Sequence, residues 1–431
     1  MGIQINGQTD TISATDGSFT ISGASGNLTG NLTGNVTGNV TGNLTGTAST
    51  ATAAATAYGL SGSPTLSGIT SVSTTNLTVN GSAYPSAGPL SNRNLIINGA
   101  MQVAQRGTSS TSTEFQTVDR FKTSTNGGTT TQSQETLSSG DPYDAGFRNF
   151  YRITNTTTGT DAAHYKIITH FIEAQNLANS GWNYSSAASN VTLSFWARAS
   201  VGQDYTFYFR TDDGTGQAYS FNFTLAADTW TKVTHVVPGA SAVVFNNDNG
   251  KGLQLTWAAW LGSNYIDSGH TNEAWAAIDT TSISNVSTTT WGTTTDATFD
   301  VTGVQLEVGS VATPFEHRSY GDELARCQRY HLQIGNEGRF SYQGGANNTN
   351  GFFSIAFPTK MRATPSFSYT GTITVNSYVA SGTITNLQID LIGPQVASLY
   401  SSGGISYSTS TNTLLYNTAA GNGQLLFSAE L

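Results

Sequence analysis

Residues 27–46 read NLTG NLTG NVTG NVTG NLTG, five tetrapeptides without a break. The apolar members are Leu28, Leu32, Val36, Val40 and Leu44. A spacing of four suits a helical stripe and also one face of a strand, because four is a multiple of two. Composition separates the two. Each unit carries a glycine, which costs about 0.8–1.0 kcal/mol in a helix interior, beside Asn and Thr, which are poor helix formers. An extended ribbon is therefore expected, with Leu/Val on one face. Such a ribbon buries almost nothing alone, since a repeat unit must stack its apolar face on neighbours. Three copies around one axis would cover that face and pair the open edges. The expectation is a homotrimeric shaft, up to ~66 Å long if fully extended. A flexible Gly/Thr linker is the alternative, and the strict placement of Leu/Val counts against it.

The rest of the composition narrows the function. Only 10% of residues are charged, against about 25% in ordinary globular chains. Ser, Thr, Asn and Gly carry the polarity. There are 17 basic and 26 acidic residues, a formal charge of -9, and no Lys/Arg block. That argues against nucleic-acid binding and against a polybasic membrane anchor. No apolar run approaches the ~18 residues of a spanning helix, so no membrane insertion is expected. The start, MGIQINGQTD, lacks the basic and apolar regions of a secretory signal. Cys327 is the one cysteine, so no intrachain disulfide can form. Assembly in a bacterial cytoplasm followed by release on lysis fits this combination.

From about residue 91 the texture becomes that of alternating strands. Val191, Leu193, Phe195, Ala197 and Ala199 share one face of NVTLSFWARAS. Tyr205, Phe207 and Phe209 do the same, as do Tyr219, Phe221, Phe223 and Leu225. In GLQLTWAAWLG the inward set reads Leu253, Leu255, Trp257, Ala259 and Leu261. Alternation of this kind predicts an antiparallel sandwich. Residues 332–431 return to short strands joined by Gly/Asn/Ser loops. The fold class expected is all-β: a fibrous trimeric shaft (1–90), a sandwich (91–320), a helical connector (321–331) and a smaller distal β-sandwich (332–431).

The blocks NLIINGAMQVAQRGTS (94–109), Asp119-Arg120-Phe121, TLSFWARAS (192–200) and FDVTGVQLEVGSVATPFEHRSYGDELARCQRYH (299–331) resemble tail-fibre proteins of bacteriophages, marine phages in particular. FPTKMRATPSF (357–367) and the terminal SAEL resemble the distal domain of such fibres. The resemblance implies a central jelly-roll similar to carbohydrate-binding modules. It also implies two further copies as partners, attachment through the N-terminus to a tail or baseplate protein, and location on the virion tail. The implied function is host adsorption through a bacterial surface glycan or outer-membrane protein. A purely structural capsid or baseplate fibre and a polysaccharide-degrading tailspike are the rival readings. Jelly-rolls of this kind often hold a structural Ca²⁺ through paired acids near the last strand. Here Asp300 is followed by Thr302-Gly303, and no cofactor or metal is expected.

No catalytic signature stands out, and no enzyme is expected: there is no GxSxG, HExxH or Cys/His cluster. Glycosidase action needs two carboxylates ~5–9.5 Å apart, and the candidates Asp204, Asp212, Asp213, Asp248, Asp267, Glu273 and Asp300 fall mostly in turn-rich segments. Cys327, four residues before His331, reads as a buried small side chain on a short helix. Sugars bind aromatic faces beside hydrogen-bonding groups. Alternation assigns Trp257 to the core and leaves Trp196, Tyr208, Arg210 and Trp260 facing outward, to be covered by a loop, a neighbouring subunit or a ligand. Tyr342 and Tyr400 flank Gly-rich loops in the distal domain. These six residues are the expected receptor-binding set.

Overall fold

The computed structural model describes residues 78–79, 82–83, 92–159, 161–286, 289–335, 340–346, 350–377, 381–384, 386–402, 413–417 and 423–431. The shaft residues Leu28, Leu32, Val36, Val40 and Leu44 lie outside the described residues, and the trimer expectation with them. A small ribbon pairs β1 (Thr78–Val79) with β2 (Ser82–Ala83).

The sandwich runs in chain order through β3 (Ser109–Ser110), β4 (Phe121–Asn126), β5 (Thr129–Thr136), α1 (Asp141–Asp144), β6 (Asn149–Thr157), β7 (Tyr165–Glu173) and α2 (Ala174–Ala178). It continues through β8 (Asn190–Ala199), β9 (Gln203–Thr211), β10 (Gln217–Leu225), β11 (Thr231–Pro238) and β12 (Lys251–Leu261). It closes with β13 (Ala276–Ala277), α3 (Thr289–Thr293) and β14 (Thr298–Val308). One six-stranded sheet has the order β13-β10-β9-β12-β7-β4 and the other β11-β8-β14-β6-β5-β3. Every pairing within them is antiparallel. The chain passes repeatedly from one sheet to the other, as in a jelly-roll. The inward sets of β8, β9 and β10 are those the alternation predicts. Phe195, Phe207, Phe221, Phe223 and Trp257 pack together between the sheets, with Phe207 5.0 Å from Trp257 and 5.1 Å from Phe221 by ring centroid.

Two strands break the simple period. In β12 the register slips between Ala258 and Trp260. One extra residue in a strand inverts which side chains face the core. Trp260 therefore joins the core, 3% exposed, while Leu261 joins an apolar cluster on the outer face with Tyr208 and Ala258. This reverses the expected placement of both residues. In β14 the register against β8 slips between Thr302 and Gln305, with Gly303 at φ +62°. A side chain on Gly303 would meet Phe147 at 2.7 Å and Trp196 at 3.0 Å, so glycine serves both the backbone twist and the close approach.

After α4 (Tyr320–Gln328), the chain forms β15 (His331–Ile334), β16 (Ser341–Ala346), β17 (Asn350–Ala356), β18 (Ser366–Thr370) and β19 (Ile373–Ser377). β20 (Ser381–Thr383), β21 (Leu387–Ile392), β22 (Val396–Ser402), β23 (Thr413–Asn417) and β24 (Gln424–Ser428) follow. A three-stranded sheet (β15-β24-β18) and a seven-stranded sheet (β20-β19-β23-β16-β17-β22-β21) close on one core around Phe353, Ile355, Leu399, Leu425 and Phe427. The expected helix over 322–331 is shorter, since His331 already opens a strand. Ser319 caps α4, accepting from the Asp322 N–H at 3.2 Å. Cys327 is fully buried on it, and burial above all pushes its thiol well above the ordinary range.

Ion pairs weld the two sandwiches. Arg329 forks onto Glu173 at 2.7 Å through both Nε and Nη2. Burial pushes the Glu173 carboxyl up, but the Arg329 and Tyr330 hydrogen bonds pull it below the usual carboxylate range. Near the chain end, Glu430 takes Arg106 at 3.0 Å and also pairs with the fully buried Arg120. Arg120 in turn lies over the Tyr330 ring, 3.5 Å from its centroid. Removing one partner of a buried pair leaves the other uncompensated, at a cost of about 3 kcal/mol. Glu430→Ala is expected to lower the urea-unfolding free energy by about that much, and a loss below about 0.5 kcal/mol would mean that Arg120 is compensated some other way.

Candidate functional site

β9 turns Tyr205, Phe207 and Phe209 inward, so Thr206, Tyr208 and Arg210 stand on the outer face of their sheet. Apolar groups on that face need a cover. Tyr208, Ala258, Leu261 and Ile283 form a buried cluster there, with Tyr165, Tyr265 and Ile266 packed against it. The cover is the segment 262–286. The Tyr265 hydroxyl donates to the Ala163 carbonyl at 2.9 Å, the Glu273 N–H to the Ser220 carbonyl at 2.7 Å, and Trp275 Nε1 to the Pro238 carbonyl at 2.7 Å. β13 adds an edge strand to β10, opposing Ala276 to Ala218.

The cover does not fill the space beneath it. A cavity of about 380 Å³ remains, lined by Tyr208, Arg210, Ala218 and Ser220 of the sheet, by Ala276 of the edge strand, and by His270 and Ile283 of the cover. Its lining includes side chains that stop at a methyl group: Ala218 of β10, Ala276 and Ala277 of the edge strand β13, and Ala274 just before it. His270 ties cover to sheet. Its Nε2 lies 2.6 Å from the Ser220 hydroxyl and its Nδ1 3.0 Å from the Ser282 hydroxyl. Burial first of all holds its imidazole below the ordinary value, against the opposing pull of Asp267 and Asp279.

Tyr208 and Arg210 are the two sequence-expected residues that the fold brings together here. Tyr208 is 4% exposed, and burial raises its hydroxyl above the ordinary range. The Arg210 guanidinium carbon lies 5.1 Å from the Tyr208 ring centroid. Arg210 Nε is buried without a hydrogen-bond partner. The other four residues go elsewhere. Trp260 lies under α3: a Cβ on Gly292 would fall 2.4 Å from its ring, so helix backbone packs directly on the indole and shuts it away from solvent. Trp196 is half-buried against Phe147 and Phe150 on the opposite sheet. Tyr342 packs on the distal core, its ring 5.9 Å from Phe340. Tyr400 stands on the face of β22 opposite Leu399, donates to Gln388 and lies 6.4 Å from Phe352. His270, Ser220 and Ser282 were not expected from the sequence. The available signal was a lone His between turn residues and an alanine-rich stretch, in DSGHTNEAWAA.

Glu273 apart, the candidate carboxylates are engaged. Asp300 is fully buried and bridges Arg152 (2.7 and 2.9 Å) and Arg198 (2.8 and 2.9 Å). Asp212 pairs with Lys251 at 3.2 Å, and Asp213 accepts from Asn246 N at 2.9 Å and Nδ2 at 2.7 Å. Asp248 and Asp267 close their own turns onto Gly250 and Gly269, both at 2.8 Å. Asp204 accepts from Thr224 at 2.5 Å. Glu273 is exposed at φ +62°. Among the described residues, no group of three or more His, Cys, Asp or Glu side chains is placed to hold a metal ion.

No protein-family model and no curated protein matches the chain. Among solved structures it is similar to the CBM22-1 xylan-binding domain of Paenibacillus barcinonensis Xyn10C, with 11% identity over 52% of this chain and 98% of that one, at a TM-score of 0.26. The tandem CBM22-1–CBM22-2 of the same protein aligns at 10% identity over 81% of this chain and 98% of that one, with a TM-score of 0.26. The family 11 carbohydrate-binding module of Clostridium thermocellum Lic26A-Cel5E aligns at 12% identity over 49% and 98%, with a TM-score of 0.24.

His270 sets the pH response of the cover. Because its folded-state value is depressed, its contribution is fully present above about 6.5 and is lost as pH falls through the folded value. Protease nicking within 262–286 is expected to rise between pH 7.5 and 5.5 in the native protein and to stay level in His270→Gln. An identical rise in both proteins would assign the opening to another group.

Proposed function

We propose that this chain is a receptor-binding fibre of the bacteriophage tail type, trimeric through residues 1–90, that holds a bacterial surface glycan in the cavity beneath residues 262–286. The observation that carries the reading is the cavity itself. It is concave and bounded by the buried Tyr208 and Ile283, with Arg210 in its lining. Sugars suit such a place, since their C–H faces rest on apolar walls while their hydroxyls take hydrogen bonds from a few fixed polar groups. The NLTG repeat and the fibre-like blocks of sequence support the tail assignment. A trimer would present three such cavities, and linked copies gain 10²–10⁴ in avidity, on the order needed to turn weak sugar contacts into firm adsorption. The N-terminal segment would attach to the tail or baseplate. The receptor is a glycan in this reading, an outer-membrane protein being the other candidate. Adsorption would proceed without covalent chemistry.

Blocking the cavity tests the site without touching charge. Ala218→Phe is expected to cut retention on host-envelope polysaccharide at least tenfold while circular dichroism stays native. Ala276→Phe, which fills the same space from the edge strand, serves where the first variant unfolds. Unchanged retention in both removes the cavity from recognition. For the assembly, solution mass is expected to be threefold the chain mass with residues 1–90 and lower without them, and a monomer in both cases contradicts the shaft.

A further inference from the structure

Resting on the reading that this cavity takes a sugar, we infer that the sugar is an acidic one, a uronic-acid residue whose carboxylate pairs with Arg210. A guanidinium offers five donors in a fixed fork and no acceptor, and it stays charged at every relevant pH. Other arginines in the two sandwiches are engaged: Arg152 and Arg198 by Asp300, Arg329 by Glu173, Arg106 and Arg120 by Glu430. Arg210 is different. It forms no ion pair among the described residues, lies over the Tyr208 ring, leaves a buried Nε without a hydrogen-bond partner as Arg120 also does, and lines a cavity. A partly desolvated cation without a counter-ion is costly, and an anionic ligand would relieve that cost.

The surroundings select the kind of anion. Asp279 lines the same cavity, its Oδ1 occupied by the Thr281 N–H at 2.8 Å and hydroxyl at 2.7 Å. Asp267 lies in the cover, bonded to Gly269 and Ser282. His270, shared between Ser220 and Ser282, is neutral at pH 7. With Asp279 in the same lining as Arg210, a ligand carrying one negative charge is repelled less than one carrying two. A phosphate monoester, at about -1.5 to -2 near pH 7, would be repelled by the same carboxylates. A carboxylate is planar, as the guanidinium fork is, and permits two parallel bonds.

The test uses pairs of methyl glycosides and methyl glycosiduronates of glucose, galactose and mannose, which differ only at C6, with glucose 6-phosphate as a third probe. Affinities are read by NMR titration of the full chain. In at least one configuration the uronide is expected to bind about tenfold more tightly than its neutral partner, the advantage shrinking between 20 mM and 500 mM salt (a charge-assisted pair). Arg210→Met, which keeps the stem over Tyr208, is expected to abolish the difference between the two members of each pair while the NMR spectrum stays that of the folded chain, a readout that separates charge from folding. Equal affinity for both members of every pair overturns the inference and leaves the sugar site standing, provided that Ala218→Phe still abolishes both. Tighter binding of glucose 6-phosphate overturns the carboxylate assignment. Binding that survives both Ala218→Phe and Ala276→Phe overturns the underlying site instead.

Discussion

The sheet that carries the site has no wet face of the ordinary kind. Tyr208, Ala258 and Leu261 make the middle of its outer surface apolar, and apolar surface of that extent must be covered. Residues 262–286 supply the cover, anchored through Ser220, Ala163 and Pro238. The cavity lies where short side chains, Ala218, Ala274, Ala276 and Ala277, line the join of sheet and cover, with Arg210 and His270 in the same lining. α3 meets the same need beside it, pressing Gly292 onto Trp260.

The opposite sheet solves its cover differently. Phe147, Phe150, Trp196 and Trp230 pack together over it, and Arg198 lies over the Trp230 ring at 4.7 Å. Asp300 sits beneath, tying Arg152 and Arg198 to the strand where an ion site was weighed. Two guanidiniums already neutralise this carboxylate, and Thr302-Gly303 have become a bulge. The distal sandwich is tied to the first through the ion pairs of Glu173 and Glu430.

Much of the core was legible because alternation holds in β8, β9 and β10. Phe195, Phe207 and Phe221 face inward as their period requires. β12 misled at its end, since nothing in LTWAAWLG marks the extra residue that turns Trp260 in and Leu261 out. A bulge is decided by pairing across strands, which a single strand's sequence does not contain. Tyr208 and Arg210 were visible as outward residues beside an aromatic core. The cover was not, because Tyr265, Ile266 and Ile283 are spaced too irregularly to show a period. The setting of His270 likewise depends on Ser220, fifty residues away.

The most direct measurement is hydrogen–deuterium exchange of the full chain with and without purified host-envelope polysaccharide. The account predicts added protection over β9, β10 and residues 262–286, with the sheet bearing Trp196 unchanged. Protection confined to the distal sandwich, or none anywhere at saturating polysaccharide, would contradict it.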